Sequence, residues 1–185
     1  MNFKKGFWFV KTQLFCFIYG SVGKHSYVGN VLFIQRPKNV FIGDNVRIYP
    51  NMRVELTQKN ARLIIEENVS IGQGFHAVSY EDDLVIGKNT TISGNVFVSN
   101  VDHGYHDIGK HILEQNMIKR KTIIGENCFI GYGAVILPGT VLGKQCIVGA
   151  NAVVKGHYDD YCVIAGNPAK VIKKYDSDSD AWNKN

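Results

Sequence analysis

The sequence has 185 residues, 45% of them hydrophobic, which is enough for one domain with a buried core. The net charge of +5 and the pI near 9.0 favour anionic partners. The charge is mild and dispersed, however, and no nucleic-acid-binding motif occurs, so nucleic acid is excluded as the expected partner. The four cysteines form no C-x-x-C pair, so no metal site is predicted, and free buried thiols in a reducing compartment are expected.

Residues 1–20 form an N-terminal segment with two apolar runs, 7–10 and 14–19. The polar residues 11–13 interrupt them, so no apolar stretch is long enough to span a bilayer. No signal-peptide cleavage site follows. We predict a short helix that lies on the end of the domain and covers it. The alternative is an interfacial helix in peripheral contact with a membrane, with its aromatic residues at headgroup level.

A six-residue period dominates the remaining chain. From residue 124 an aliphatic side chain recurs at every sixth position, and Asn, Gln or Gly follows three residues later. Asn and Gly tolerate left-handed backbone angles, so this second column predicts a turn at each corner of a coil. The turn column comprises Asn45, Asn51, Asn68, Gly74, Asn89, Asn95, Asn127, Gly133, Gly139, Gln145 and Asn151. Short strands joined by regular corners, stacked as a β-helix, fit this period, whereas an α-helix would need a period of 3.6.

Three hexapeptides make one triangular coil of 18 residues, and the spacing of the coils shows where residues are inserted. The coils are predicted to start at Val22, Ile42, Ile65, Ile86, Ile124 and Leu142. Each interval that exceeds 18 residues has its excess between a third face and the next first face. All insertions therefore emerge from one corner, and the longest is a loop over residues 99–121. The β-helix domain is predicted to cover residues 21–174, followed by a disordered polar tail at 175–185.

These motifs resemble the hexapeptide-repeat acyltransferases, in particular the sugar O-acetyltransferases that include the galactoside, maltose, lipopolysaccharide and capsule enzymes. The resemblance rests on the repeat, on the Asp102-His103 pair in the loop, and on the closing segment IAGNPAKVIKK from Ile164. It implies an all-β fold, a left-handed parallel β-helix. It also implies a homotrimer with active sites between subunits, and acetyl-CoA as the co-substrate. The expected location is cytoplasmic, at the inner face of the membrane if the N-terminal segment contacts it.

The resemblance assigns the general base to His103. A neutral imidazole can remove a proton from an alcohol as the alcohol attacks a thioester. His106 is the competing base, and Asp102 and Asp107 are the alternative candidates to orient the imidazole ring. His76 aligns with an acceptor-binding position that is commonly asparagine in relatives, so an acceptor contact is the hypothesis for it. His111 and His157 are interpreted as ordinary solvated residues.

The resemblance also implies that coenzyme A lies along a groove between the C-terminal coils. The backbone near Tyr132 and Ala150 would pair with the pantetheine amides. Lys155, Lys170 and Lys173 would pair with the phosphates. In the segment 166–170, Pro168 fixes a bend and Gly166 permits close approach, so the chain can leave the stack and fold back.

The sequence therefore predicts transfer of an acetyl group from acetyl-CoA to a sugar hydroxyl, in surface polysaccharide or lipopolysaccharide biosynthesis. Transfer to the amine of a nucleotide-linked amino sugar is a variant that the sequence separates poorly from it. A metal hydratase resembling the γ-type carbonic anhydrases would need three converging histidines, and no spacing enforces that convergence. A non-catalytic scaffold would not need the long histidine loop.

Overall fold

The computed structural model describes residues 3–184. Its strands stack into three flat faces of a parallel β-helix, with one two-stranded sheet outside them. The first face contains β1 (Ser21–Val22), β4 (Val40–Ile42), β7 (Arg62–Ile65), β10 (Asp83–Ile86), β15 (Ile123–Ile124), β18 (Val141–Leu142) and β21 (His157–Tyr158). The second contains β2 (Tyr27–Val28), β5 (Arg47–Ile48), β8 (Ser70–Ile71), β11 (Thr91–Ile92), β16 (Phe129–Ile130), β19 (Ile147–Val148), β22 (Cys162–Gly166), β23 (Ala169–Asp176) and β24 (Ala181–Lys184).

The third face contains β3 (Phe33–Ile34), β6 (Arg53–Leu56), β9 (His76–Ser79), β12 (Phe97–Ser99), β17 (Val135–Ile136) and β20 (Val153–Val154). Outside the faces lie β13 (Val101–Asp102) and β14 (Ile118–Lys119). The helical elements in residues 3–184 are one α-helix, α1 (Phe3–Leu14), and three short 3-10 helices at Cys16–Ile18, Pro37–Asn39 and Ile112–Glu114. This architecture confirms the predicted left-handed parallel β-helix with a short N-terminal helix and a protruding loop.

The register of the first face confirms the predicted coil phase. Ladder partners run in the order Val22, Ile42, Ile65, Ile86, Ile124 and Leu142, followed by Tyr158. The aliphatic members of this column from Ile42 to Leu142 are buried. Equivalent side chains of successive coils stack on one another, so the hydrophobic core is one continuous column along the β-helix.

The predicted turn column is confirmed at all eleven positions, because each of these residues has a positive φ. Asparagine is useful at such a corner for a second reason, since its amide can bridge successive coils. Asn68 Nδ2 donates to Asn89 Oδ1 at 2.9 Å, and Asn127 Nδ2 donates to Gln145 Oε1 at 3.1 Å. The corners are therefore fixed both by backbone conformation and by amide ladders.

The three corners differ in how they accept extra residues. Inward side chains on the first and second faces are six residues apart in every coil, as Ile86 and Ile92 are, and the same spacing separates the second face from the third. Only the corner from the third face to the next first face varies, from the short link between Val154 and Tyr158 to the long one between Val98 and Ile124. The prediction that all insertions emerge from one corner is confirmed, and we call this corner the variable corner.

The helix α1 lies across the N-terminal end of the coil stack. Thr12 is buried against the second face, where its Oγ1 accepts from Val28 N at 2.8 Å and donates to Trp8 O at 2.7 Å. The Trp8 ring packs near the Tyr27 and Tyr49 rings, with centroids 6.1 and 6.3 Å away. The helix therefore covers the open end of the β-helix as predicted. No helix among residues 3–184 is both long and apolar enough to cross a membrane.

The C-terminal segment is ordered through residue 184, which corrects the prediction of a disordered tail over residues 175–184, while residue 185 lies outside the described residues. The chain turns back after Gly166, and β23 runs antiparallel to β22 until Asp176. β24 then pairs with β23 as an antiparallel strand. The rings of the paired residues Tyr175 and Trp182 are in contact, with centroids 5.7 Å apart. Tyr161 packs on the other side of Tyr175 at 5.9 Å. The polar composition of the tail concealed the role of these three aromatic residues, whose ring contacts stabilise the hairpin.

The cysteines are free thiols. Cys128, Cys146 and Cys162 are buried in one column at the corner between the first and second faces, as expected. Cys16 is exposed, which differs from the expectation, because it lies in the 3-10 turn after α1 and outside the coil stack.

Candidate functional site

The long loop leaves the variable corner on a short antiparallel stem. β13 and β14 pair through Val101 with Lys119 and Asp102 with Ile118. His103 is the first residue beyond β13, so it lies directly above this stem. Gly104 follows, and the backbone oxygen of Asn116 approaches it so closely that a Cβ would collide with that oxygen. The two strands of the loop are thus held close together next to His103.

Buried polar side chains anchor the stem to the coil stack. Asn100 is fully buried, where its Nδ2 donates to Ser79 Oγ at 3.0 Å and its Oδ1 accepts from Tyr80 N at 2.8 Å. Thr122 is also buried, and its Oγ1 donates to Ser99 O at 2.9 Å and accepts from Gly139 N at 3.1 Å. The entry and the exit of the loop are therefore both pinned by satisfied hydrogen bonds. Sequence reasoning missed these residues, because polar residues beside a loop carry no distinctive pattern.

Inside the loop, the buried Gln115 side chain connects backbone segments by hydrogen bonds. Its Oε1 accepts from Asp107 N at 3.0 Å, and its Nε2 donates to Asp107 O at 3.2 Å and Lys110 O at 3.1 Å. One side chain therefore replaces the backbone pairing that a regular strand would supply. The loop therefore has a defined conformation, although residues 103–117 contain no strand.

The three predicted loop histidines have different surroundings. The His103 side chain is exposed and forms no hydrogen bond or ion pair within residues 3–184, so Asp102 does not orient it here. His106 is exposed as well, and its ring packs on the Tyr105 ring with centroids 4.4 Å apart. His111 Nδ1 accepts from Leu113 N at 3.2 Å and caps a short 3-10 turn, so it has a local structural role.

His76 has a carboxylate partner that the sequence did not reveal. On the outward side of the third face, His76 Nε2 lies 3.0 Å from Glu55 Oε1, and Arg53 Nε donates to the same oxygen at 2.7 Å. The hydrogen bond from Arg53, and then that from His76, hold the pKa of the Glu55 carboxyl below its ordinary value. His76 lies one coil after Arg53 and Glu55, and because the hexapeptide register pairs Arg53 with His76, it could have indicated the contact.

Two aromatic rings flank this charged group along the same face. The His76 ring meets the Phe97 ring edge to face with centroids 5.1 Å apart, and the Arg53 guanidinium lies 5.5 Å from the Phe33 ring centroid. The result is an outward ladder of Phe33, Arg53, His76 and Phe97 on consecutive coils. Two hydrogen-bonding groups between two aromatic rings suit a ligand with both apolar faces and hydroxyl groups.

Two of the residues predicted to bind the cofactor lie at the corner between the second and third faces. Tyr132 is half exposed, and its Oη accepts from Asn95 Nδ2 at 2.5 Å. Ala150 occupies the same place one coil later, because the backbone of Gly149 and Ala150 stacks on Gly131. His76 begins its strand at this corner too, so we call this edge of the third face the tyrosine edge.

The predicted lysines do not form one cluster. Lys170 and Lys173 lie on β23 and pair with Ala165 and Val163 of the second face. Lys155 lies at the variable corner instead, in a groove of about 460 Å³. That groove is basic, and its lining includes Arg120, Lys121, Lys155, Gly156 and His157. Four nitrogen-bearing side chains and no carboxylate line it, so it fits a phosphate-bearing ligand.

The candidate residues therefore divide between the two edges of the third face. The tyrosine edge holds His76, Tyr132 and Ala150, whereas the variable corner holds His103 with the basic groove. No contact joins His76 to His103 within the described chain. In residues 3–184 no three His, Cys, Asp or Glu side chains cluster as metal ligands would.

Comparison with known proteins places this arrangement in a family. The bacterial transferase hexapeptide model (six repeats) matches residues 121–156. A putative lipopolysaccharide biosynthesis O-acetyl transferase, WbbJ, of Escherichia coli K12 is 29% identical over 82% of this chain and 80% of its own length. A probable macrolide acetyltransferase of Lysinibacillus sphaericus is 30% identical over 71% of each chain.

Solved structures show the same fold. A mutant of AntD, an N-acyltransferase from Bacillus cereus in complex with dTDP-4-amino-4,6-dideoxyglucose and coenzyme A, superposes with a TM-score of 0.75. The two chains are 22% identical, and the match covers 89% of this chain and 88% of that one. From its repeat, its coil register and these relatives, this chain belongs to the hexapeptide-repeat family of acetyltransferases.

Proposed function

We propose that this protein transfers the acetyl group of acetyl-CoA to a hydroxyl of a sugar acceptor, in the assembly of a surface polysaccharide or lipopolysaccharide on the cytoplasmic side of the membrane. The observation that carries the proposal is the histidine loop, pinned by buried hydrogen bonds at the corner that also holds the basic groove. The relative named for lipopolysaccharide O-acetylation supports the sugar hydroxyl as acceptor.

In the proposed reaction His103 acts as the general base. Its neutral imidazole takes the proton from the sugar hydroxyl while the oxygen attacks the thioester carbonyl. A carbon–oxygen bond forms, the carbon–sulfur bond breaks, and the imidazolium returns the proton to the departing thiolate. No acyl-enzyme is needed, because donor and acceptor are bound together and the reaction is direct. An exposed histidine on a rigid stem suits this role, since both substrates must reach it.

The basic groove is the proposed site for the phosphates of coenzyme A. Lys155, Arg120 and Lys121 supply fixed positive charge beside a glycine corner that leaves the backbone accessible. Tyr132 and Ala150 lie at the other edge of the third face, so one chain is not expected to hold the whole cofactor. Lys170 and Lys173, on the C-terminal hairpin, would bind the part of the cofactor that lies near the tyrosine edge.

We further propose that each active site forms between two chains of a homotrimer. The variable corner of one chain, with His103 and the groove, would face the tyrosine edge of the next, with His76 and Tyr132. This arrangement explains why the two sets of candidate residues make no contact within a chain. His76 would then bind the acceptor, with Glu55 and Arg53 holding its ring in place.

The test of the reaction is acetyl transfer from acetyl-CoA to a panel of sugars, nucleotide sugars and nucleotide-linked amino sugars. His103→Ala should lower kcat by about 10² to 10⁴-fold without unfolding the protein. Ile108→Ala is the matched loop control, because Ile108 is 96% exposed at the tip and should leave the rate unchanged. A near wild-type rate for His103→Ala, with a large loss for His106→Ala, would move the base to His106. Turnover of amino sugars alone would establish N-acetylation instead.

The test of the shared site is complementation between two inactive variants. His103→Ala and His76→Ala chains, each inactive or weak alone, should regain activity when they are unfolded together and refolded as mixed oligomers. Mixing His103→Ala with itself provides the control. Should the mixture stay as inactive as its components while the oligomer forms normally, the two edges do not belong to one site.

A further inference from the structure

The net positive charge of this protein is concentrated at one end of the molecule. No Asp or Glu occurs before Asp44, whereas Lys4, Lys5, Lys11, Lys24, Arg36 and Lys38 precede it. The remaining residues hold 15 of the 21 Lys and Arg and all 16 Asp and Glu, a net charge of −1. The net positive charge is therefore not dispersed along the chain, as we expected from the sequence, but is concentrated in α1 and the first coil.

The helix α1 presents an apolar stripe on the side that faces away from the protein. At about 100° per residue, Phe3, Phe7, Val10 and Leu14 fall within roughly 60° of the helix circumference, opposite the buried Thr12. Phe3 is 92% exposed, Phe7 is 59% exposed and Leu14 is 66% exposed. Lys4 and Lys11 lie next to each other along one side of this stripe. Exposed aromatic residues beside lysines are typical of helices that lie in a membrane interface.

The apolar surface continues beyond the helix. Phe15 and Phe17 are exposed in the following turn, with ring centroids 6.2 Å apart, and Lys38 Nζ donates to the backbone oxygen of Phe17. An apolar groove of about 220 Å³ opens between α1 and the first coil, lined by Phe15, Ile18, Val28 and Val31 among others. The whole surface is held rigidly, because Thr12 and Trp8 fasten α1 to the second face.

We propose that α1 and the turn after it form a docking surface for an anionic lipid bilayer. The stripe enters the interface between headgroups and acyl chains, and the surrounding lysines and arginines contact the anionic headgroups. Twelve residues at about 1.5 Å each give a helix of about 18 Å, which lies along the membrane rather than across it. The β-helix then stands on the membrane by its N-terminal end.

A second copy of this chain is the less favourable occupant of the same surface. Two N-terminal ends placed face to face would bring two sets of six cations together, and like charges across an interface oppose association. An anionic bilayer matches both the apolar stripe and the sign of the charge. The proposal does not depend on the reaction, since membrane binding requires neither acetyl-CoA nor His103.

The experiment is co-sedimentation of the full-length protein with vesicles. We expect binding to phosphatidylcholine vesicles that contain phosphatidylglycerol, little binding to phosphatidylcholine alone, and release by high concentrations of sodium chloride. The double variant Phe7→Ser, Leu14→Ser should bind at least about tenfold more weakly. Ile172→Ser is the matched control, because Ile172 is 44% exposed on the hairpin at the opposite end of the chain and should bind as the wild type does.

The double substitution changes exposed side chains, so circular dichroism and gel filtration should match the wild type. Lipid composition and salt are tested on the unmodified protein, which keeps the proposal open to refutation if the variant fails to fold. Equal binding to both vesicle types, or undiminished binding by the double variant, would overturn the proposal. Self-association that the double variant abolishes, without vesicle binding, would overturn it in favour of a second copy. His103→Ala should bind vesicles as the wild type does.

Discussion

The regular corners and the variable corner of this β-helix follow different physical rules. Between the first, second and third faces the six-residue spacing is kept in every coil, because each inward aliphatic side chain must stack on the one below it. At the variable corner the spacing changes from coil to coil, and the loop with His103 leaves there. Stacking requires only that the strands stay in register, so one corner can vary while the other two provide a rigid scaffold.

The largest expected effect is a difference in the free energy of unfolding between a substitution in the coil stack and one in the loop. Ile130→Ala removes a fully buried side chain from the second face and should lower the free energy of unfolding by about 2–5 kcal/mol. Ile108→Ala, at the exposed tip of the loop, should change it by less than about 0.5 kcal/mol. Urea denaturation followed by circular dichroism measures both. Similar losses for the two variants would mean that the loop and the scaffold unfold as one unit.

A second prediction concerns Gln115, whose side-chain hydrogen bonds hold the loop in its conformation. Gln115→Ala removes three hydrogen bonds to Asp107 and Lys110, so the loop should lose its shape and acetyl transfer should fall by about tenfold. Gln115→Glu keeps the acceptor for Asp107 N but places a carboxylate oxygen against the backbone oxygens of Asp107 and Lys110, so it should lower acetyl transfer at least as much as Gln115→Ala. The coil stack does not use these bonds, so the melting temperature should shift little. A large loss of stability with unchanged kcat would contradict this division of roles.

A third prediction tests why asparagine occupies the regular corners. Asn89 has φ of 60° and accepts a hydrogen bond from Asn68 Nδ2 at 2.9 Å. Asn89→Ala should cost about 1–2 kcal/mol, because alanine lacks the side-chain amide with which asparagine compensates the strain of the left-handed region, and it loses the hydrogen bond from Asn68. Asn89→Gly relieves that strain and should cost less, as thermal unfolding would show. Equal losses for Ala and Gly would assign the stabilisation to the amide ladder instead.

The smallest expected effect is a pH dependence at the third face. Arg53 and His76 hold the pKa of Glu55 below its unfolded value, so this carboxylate stabilises the fold above the unfolded pKa, and the stabilisation is lost as the pH falls through the folded pKa. The pair is partly exposed, so the contribution should stay below about 1 kcal/mol. Glu55→Gln should flatten the acid limb of stability below about pH 4.3. An unchanged acid limb would show that the pair contributes nothing to folding.

Much of the scaffold could be predicted because its rules are local. The period of six, the inward aliphatics and the turn residues placed every coil in phase from Val22 to Leu142. The single insertion corner followed from counting. The candidate site was predicted only as a set of residues. The pairing of Glu55 with His76 was missed although the coil register could have indicated it. The anchoring of the loop by Asn100 and Thr122 could not be found, because those contacts join residues that only the stacked coils bring together.

The sequence by itself therefore determined the coil, its phase, the covering helix and the corner from which the histidine loop emerges. Those features repeat or are contiguous along the chain, so local patterns suffice. Only the tertiary structure decided that the tail folds back on Tyr161 and Tyr175, and that the candidate residues occupy two separate edges of one face. It also showed that α1 turns its apolar stripe outward. These features depend on which surfaces meet after the coils have stacked, and an isolated segment does not contain that information.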